Sequence, residues 1–359
     1  MSLLKHETLP PELWLEIFEH LDECSYTALY TPFQPPFAPR DVKNPYHALV
    51  LVCKNWRNWA TSFLYRNVKL PISDSTWART HPEYGRWVRR MTLLTDSLSL
   101  AEIFGICPNI TVLLRRRPRR LAFDKSVPSP ALSLKRLDWS IYGDDATGRE
   151  TPLWGVLSAA PNLEYLFLSM RGRGMQFLHD DTKAIHLPNL RTLRIGVSNL
   201  DLLRSVSLWS LPSLTTFIMD IPFVERGMSL IWLAHGSRLQ TVELADKFFP
   251  RYHSLTRCLQ GCPALRELNY HLFMTDPPVG VYPSVTVVSL HIGPMDPKSR
   301  VDQWEQLKQH FLALVEGLFP NLRTLNLHEI PKRMFADEGF ASMVKPLIDR
   351  GCALEMLDG

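Results

Sequence analysis

The sequence has no long apolar run: across 359 residues the longest uninterrupted stretch, Ala48 to Cys53, is six residues. A membrane-spanning helix needs about twenty, so no membrane association is expected. The opening MSLLKHETLPPELW lacks the basic start and apolar core of a signal peptide. Nor is there a paired cysteine framework, since the six cysteines are scattered at 24, 53, 107, 258, 262 and 352. Cys258 and Cys262 are too widely spaced for the C-x2-C knuckle of a structural zinc site. All six read as reduced thiols in a cytoplasmic and/or nuclear protein. Catalytic signatures are missing as well. There is no G-x-S-x-G, no G-x-x-x-x-G-K-[ST], no H-E-x-x-H and no G-x-G-x-x-G after a strand. The paired acids Asp144-Asp145 and Asp180-Asp181 lie in loop-like sequence. Neither an enzyme nor a bound cofactor or metal is expected.

What is present is a folded composition, with 45% hydrophobic and 21% charged residues. Its formal charge of +4 is unevenly spread: Arg79 to Arg136 holds twelve Lys/Arg against four Asp/Glu. Within that stretch Arg115-Arg116-Arg117-Pro118-Arg119-Arg120 is the densest charge. It reads as a localisation signal, an acidic-partner contact or a solvated loop. Nucleic-acid binding is the weaker reading, because no recognised module accompanies it.

Leu9-Pro10-Pro11-Glu12 opens a helix, because proline fits the first turn and glutamate suits the positive end of the dipole. Leu13, Ile17 and Leu21 make one apolar stripe, with a break expected near Asp22-Glu23. A second helical pattern runs from Tyr46 through Val52, Trp56, Trp59, Ala60 and Phe63, then turns extended toward Leu70. Between them, residues 24–47 hold five prolines and read as an extended loop that projects into solvent or touches a partner.

These residues carry a family resemblance. Leu9-Pro10-Pro11-Glu12-Leu13, Glu16-Ile17-Phe18 and Leu21, followed by Leu49, Val52-Cys53-Lys54-Asn55-Trp56 and Leu64-Tyr65-Arg66, are similar to the F-box. The resemblance implies a three-helix module over residues 1–70, here with a Pro-rich insertion at 24–47, that docks on the Skp adaptor of a cullin–RING ubiquitin ligase. It would place Leu9, Pro10, Leu13, Ile17, Val52, Cys53 and Trp56 in the docking surface and its supporting core.

Residues 71–359 repeat a phrase P-x-L-x-x-L-x-Φ, where Φ is apolar. Its first apolar residue falls at 134, 163, 190, 214, 239, 265, 285, 322 and 354, with degenerate early copies at Val88/Met91/Leu93 and Ile110/Leu113. The spacing, 20 to 37 residues, centres on the leucine-rich-repeat range. Helical return segments are read at Met228–Trp232, Leu255–Cys262, Trp304–Leu318 and Phe340–Ile348, with Ser299 and Asp302 as a capping pair and Pro346 as a kink or break. The customary asparagine position after the L-x-Φ pair is not kept. The expected fold class is therefore an α/β solenoid, a three-helix F-box followed by an irregular leucine-rich-repeat horseshoe with a parallel concave sheet.

Alternation in a strand puts the residues flanking the L-x-Φ pair on the concave face. The central column is Phe167, Arg194, Ile218, Glu243, Asn269, Ser289 and Asn326. Tyr165 begins the preceding column, and the following one ends in His271, His291 and His328. On a wet surface Tyr165 and Phe167 would seed a binding hot spot. The histidines read either as solvated rings or as a stack close enough to share an acidic ligand or a metal. Candidate substrate contacts are Tyr165, Phe167, Arg194, Glu243, Asn269, His271, His291 and His328. The resemblance implies a non-catalytic substrate receptor whose partners are the Skp adaptor, a cullin and a protein substrate. A repeat scaffold without a ligase role is the alternative.

Overall fold

The computed structural model describes residues 9–26, 46–70, 82–94, 99–115, 130–142, 152–171, 185–197, 199–220, 225–244, 254–292, 300–329 and 337–357. Helix α1, Pro11–Tyr26, starts where the prolines and Glu12 predict. It does not break at Asp22-Glu23. Acid at a helix C-terminus costs only about 0.3–1 kcal/mol, and Phe18, buried to 1% exposure, anchors this helix. Residues 24–26 are thus helical, and the rest of the expected loop up to residue 45 lies outside the described residues.

The second helical pattern is divided. Helix α2, Tyr46–Leu49, is followed by a turn, and helix α3 runs Lys54–Leu64. Cys53 makes the division: it is extended at φ −159°, and its Sγ accepts the Trp56 N–H at 3.5 Å as an N-cap. Phe18, Tyr46, Ala60 and Phe63 form the core of this three-helix module, ringed by Trp14, Leu49, Val50, Trp56, Trp59 and Leu64. Tyr46 stacks on Phe63 with centroids 5.4 Å apart, and its hydroxyl donates to the Phe18 carbonyl at 2.6 Å.

The chain then enters a repeating pattern. Strand β1, Asn67–Leu70, closes the expected 1–70 module in sequence but pairs in parallel with β2, Arg90–Leu93. Helix α4, Pro82–Gly85, lies between them, and helix α5, Leu100–Ile106, leads to β3, Val112–Arg115, and β4, Arg136–Tyr142. Helix α6, Pro152–Ala159, precedes β5, Tyr165–Arg171. The first of two compact units, Met1–Tyr165, ends at the first residue of β5.

In the second unit, Leu166–Gly359, the strands are the remainder of β5, β6 (Thr192–Gly196), β7 (Thr216–Met219), β8 (Thr241–Leu244), β9 (Glu267–His271), β10 (Val287–His291), β11 (Thr324–His328) and β12 (Ala353–Leu357). Among the described residues five helices return the chain: α7 (Leu200–Ser207), α8 (Glu225–His235), α9 (Ser254–Gly261), α10 (Arg300–Val315) and α11 (Glu338–Asp349). Within each unit the strands are parallel and follow chain order, an α/β solenoid-like arrangement.

The repeat phrase explains the packing. Leu134, Leu163, Leu190, Leu214, Leu239, Leu265 and Val285 are all 0% exposed. The L-x-Φ pairs that follow, such as Leu193/Ile195 and Val288/Leu290, are equally buried. Two details differ from the expected pattern. Leu354 pairs with Leu325 and not with Leu322, so it is the second apolar residue of its copy, and Gly351, at φ +84°, holds the first position. Pro346 lies inside α11 without ending it, while Phe340, Val344 and Leu347 hold one side of that helix in the core. Arg300 is the first residue of α10, and Ser299 lies outside the described residues.

A ladder of Asn and Ser side chains runs along several of the turns that precede the strands. The side chain just ahead of the first apolar residue donates to a backbone carbonyl of the preceding copy. Asn109 reaches Arg86, Ser133 reaches Pro108, and Asn162 reaches Leu132, each at 2.8 Å. In the second unit Ser213 bonds Pro188 and Asn321 bonds Pro283 in the same way. The recurring P-N-L and P-S-L signal was therefore a hydrogen-bonding device as well as a turn. Replacing Asn109, Ser133 and Asn162 together by alanine is expected to lower stability by roughly 1.5–3 kcal/mol, because each of the three bonds is exposed and worth about 0.5–1. An unchanged urea midpoint would show that these bonds are incidental.

Candidate functional site

Two surfaces were expected to carry function, and the structure treats them oppositely. On the three-helix module, Leu9, Leu13 and Ile17 follow one side of α1 and are 40%, 43% and 43% exposed. Pro10 is exposed as well, and Val52, in the turn before α3, is 55% exposed. These large apolar side chains stay in solvent although the module has an aromatic core of its own. Cys53 and Trp56 serve differently: Cys53 caps α3, and the Trp56 ring is half-buried, 4.8 Å from Trp14 and 5.5 Å from Phe18. Leu51, 78% exposed beside Val52, was missed. The run Ala48–Cys53 reads as continuous helix, and only the turn that interrupts it turns Leu51 outward.

The columns flanking the L-x-Φ pairs have the expected register, with Arg194, Ile218, Glu243, Asn269, Ser289 and Asn326 in one line from β6 to β11. Their exposure is not as expected. Tyr165 and Phe167 are 3% and 2% exposed, and Glu243 and Asn269 are fully buried. Long side chains lie across the strands and cover one another. Arg136 sits 4.4 Å over the Tyr165 ring while gripping Asp138 through two bonds of 2.9 Å. Arg194 lies 5.7 Å over Phe167 and holds Asp220 at 2.7–3.0 Å. Gly196 is the neighbour that allows this, since a Cβ there would stand 3.2 Å from the Phe167 ring. Asn269 donates to Glu267 at 2.9 Å. Arg194 and Asp138 are themselves buried within these pairs.

The histidine column is real, and its rings are packed, not solvated. His271, His291 and His328 stand in register on β9, β10 and β11. The rings of His271 and His291 are 4.0 Å apart. Their acidic neighbour is the chain's own Glu329, which takes a left-handed φ of +54° and brings its carboxylate 3.1 Å from His291 Nε2. Burial, aided by the other two imidazoles, pushes His271 down to about 3. His328 is lowered by burial and by His291, against an opposing pull from Glu329. Among the described residues no group of three or more His, Cys, Asp or Glu could hold a metal.

A fourth histidine, unremarked in the sequence, is buried in α10. His310 Nε2–H donates to the Thr275 carbonyl at 2.7 Å, and the Tyr270 hydroxyl meets Nδ1 at 3.1 Å. Burial pushes His310 down to about 4.

Arg115 is a further correction to the expected arginine loop. It is the last residue of β3, 1% exposed, and pairs in register with Trp139 at an inward Φ position. Its guanidinium sits 4.5 Å over the Trp139 ring and donates to the Ser140 carbonyl at 3.3 Å. Residues 116–120 and both Asp-Asp pairs lie outside the described residues. Cys53, Cys107, Cys258, Cys262 and Cys352 are free thiols. Burial raises Cys107 to about 12, and Cys258 is raised first by its hydrogen bond to Cys262. No helix among the described residues is long and apolar enough to cross a membrane. No family model and no curated protein matches the chain.

His271 and His310 fix the sign of a pH dependence. Both fold with pKa values of about 3 and about 4, below the ordinary 6.5 of an unfolded chain. Below pH 6.5 the unfolded chain therefore binds protons that the folded chain refuses. Stability is complete above that pH and falls, by roughly 1.4 kcal/mol per pH unit for each ring, until the folded values are reached. Urea unfolding at pH 7.5 and pH 5.0 checks this, and equal stability at the two would mean the rings are accessible to water.

Proposed function

We propose that the chain is a substrate receptor of a Skp–cullin–F-box ubiquitin ligase. Its three-helix module would be an F-box that docks on the Skp adaptor, and its strand–helix copies would be irregular leucine-rich repeats that hold a protein substrate. One observation carries the reading: Leu9, Leu13, Ile17, Leu51 and Val52 remain 40–78% exposed on a module whose own core is closed by Phe18, Tyr46 and Phe63. Burying a leucine or valine side chain is worth about 1.5–3 kcal/mol. Leaving several in water on one small module is the mark of a surface that meets a partner. The residues the F-box resemblance assigns to docking are largely the residues left outside.

In this reading the chain catalyses nothing. It contributes proximity, raising the substrate's concentration beside a ubiquitin-loaded enzyme held elsewhere in the complex. Cys53 and Trp56 act from below the surface, one by starting α3 and the other by propping it against Trp14 and Phe18.

The test is co-purification with the adaptor. Pro10→Ala combined with Leu13→Ala is expected to abolish capture while thermal unfolding of the repeats is unchanged, because Leu13 is exposed. Capture retained by the double variant, or absent from the wild type, would defeat the reading.

A further inference from the structure

The residue that directly precedes each strand forms a second row, distinct from the buried columns. From β6 to β11 this row is Arg191, Thr215, Gln240, Arg266, Thr286 and Arg323. Backbone bonds fix their adjacency: the Thr215 N–H donates to the Arg191 carbonyl, Gln240 to Thr215, Arg266 to Gln240, Thr286 to Arg266 and Arg323 to Thr286. Arg191, Gln240, Arg266 and Arg323 are exposed, and none of the three arginines has an ion-pair partner among the described residues. Their behaviour contrasts with Arg194, three residues beyond Arg191 within β6, which Asp220 neutralises.

The sign of this edge is not a reflection of the unit's composition. Residues 166–359 contain twenty Lys/Arg and nineteen Asp/Glu. Yet the six turn segments that build the edge, 188–191, 212–215, 237–240, 263–266, 283–286 and 320–323, contain four arginines and no acid. The fourth, Arg238, donates to the Leu211 carbonyl at 2.8 Å. The line that crosses the strands thus carries no acid of its own, Glu267 being the first residue of β9 beside Arg266.

We infer that this edge binds an extended, carboxylate-rich peptide segment laid across the strand starts, with Arg191, Arg266 and Arg323 as its anchors. The charge selects the occupant, and guanidinium groups pair bidentately with carboxylates. Spacing sets its length. Strands lie about 4.8 Å apart, so Arg191 to Arg323 spans roughly 24 Å, which about seven extended residues cover at about 3.3 Å each. Thr215, Gln240 and Thr286 stand between the anchors as neutral hydrogen-bonding groups. A nucleic acid fits less well. Gaps of roughly 14 and 10 Å between arginines would leave most phosphates unmatched, and the row offers no aromatic ring for a base to stack on.

This inference rests on the substrate-receptor reading only for calling the peptide a substrate. Its test needs no adaptor, so the two can fail separately. Fluorescence anisotropy would follow the full-length chain binding a labelled eight-residue peptide of alternating glutamate and glycine. The expected result is saturable binding at 50 mM salt that weakens at least tenfold at 300 mM. Arg191→Glu, Arg266→Glu and Arg323→Glu together should abolish it, and the milder triple change to glutamine should weaken it at least tenfold. An equal charge change on the helices, Arg204→Glu with Arg226→Glu and Lys308→Glu, should cost less than threefold. No binding at low salt, equal loss in the helix control, or tighter binding of an oligothymidylate than of the peptide would each overturn the assignment.

Discussion

A short strand with apolar residues on one side is not stable alone, and everything in the two repeat-bearing units answers that constraint. From β4 to β10 the copies bury their first apolar residue and the L-x-Φ pair only because neighbouring strands lie in register beside them. A one-residue slip would turn those side chains to the other side of the sheet. From β6 to β10 the carbonyl just before the strand receives two N–H groups from the next copy, as Arg191 does from Thr215 and Thr216. The Asn/Ser ladder adds a side-chain bond at the same turn. Register is therefore held at the start of these strands, and this is what places arginines, histidines and buried polar residues in straight columns.

Much of this was legible. The phrase P-x-L-x-x-L-x-Φ located each strand from β2 to β12, and the return helices with long apolar stripes emerged close to their expected places. What failed did so for physical reasons. Cys53 divided one helical pattern into α2 and α3, because a sulfur cap depends on backbone geometry that periodicity does not encode. Helix α1 ran on past its acids, since tertiary anchoring of Phe18 outweighs an unfavourable dipole contact. Leu354 was placed one apolar position too early in its copy, because a glycine stands where the leucine should be.

The candidate surfaces show the same limit from another side. The exposure of Leu13, Ile17 and Val52 is not encoded in their spacing, since the same stripe would suit a buried core; Phe18, Tyr46, Ala60 and Phe63 fill that core instead. Alternation alone assigned Tyr165 and Phe167 to water, but could not foresee Arg136 and Arg194 lying across them. Burial on that side of the sheet is made by side chains from neighbouring copies, a relation absent from any single copy. The histidine column was found by its spacing. Its acidic companion, Glu329, was not, because the left-handed turn that returns its carboxylate is a property of one residue's backbone.

Arg115 has a consequence for how such an array can change over time. At a position where other copies keep an aliphatic or aromatic group, β3 carries a cation that Trp139 and the Ser140 carbonyl of β4 help to accommodate. These two copies are keyed to each other and are no longer interchangeable parts. Duplicating either, or inserting a foreign copy between them, would strand a desolvated guanidinium. At this point the protein has given up the freedom to lengthen by recombination, and can vary only by substitution on both sides of the join at once.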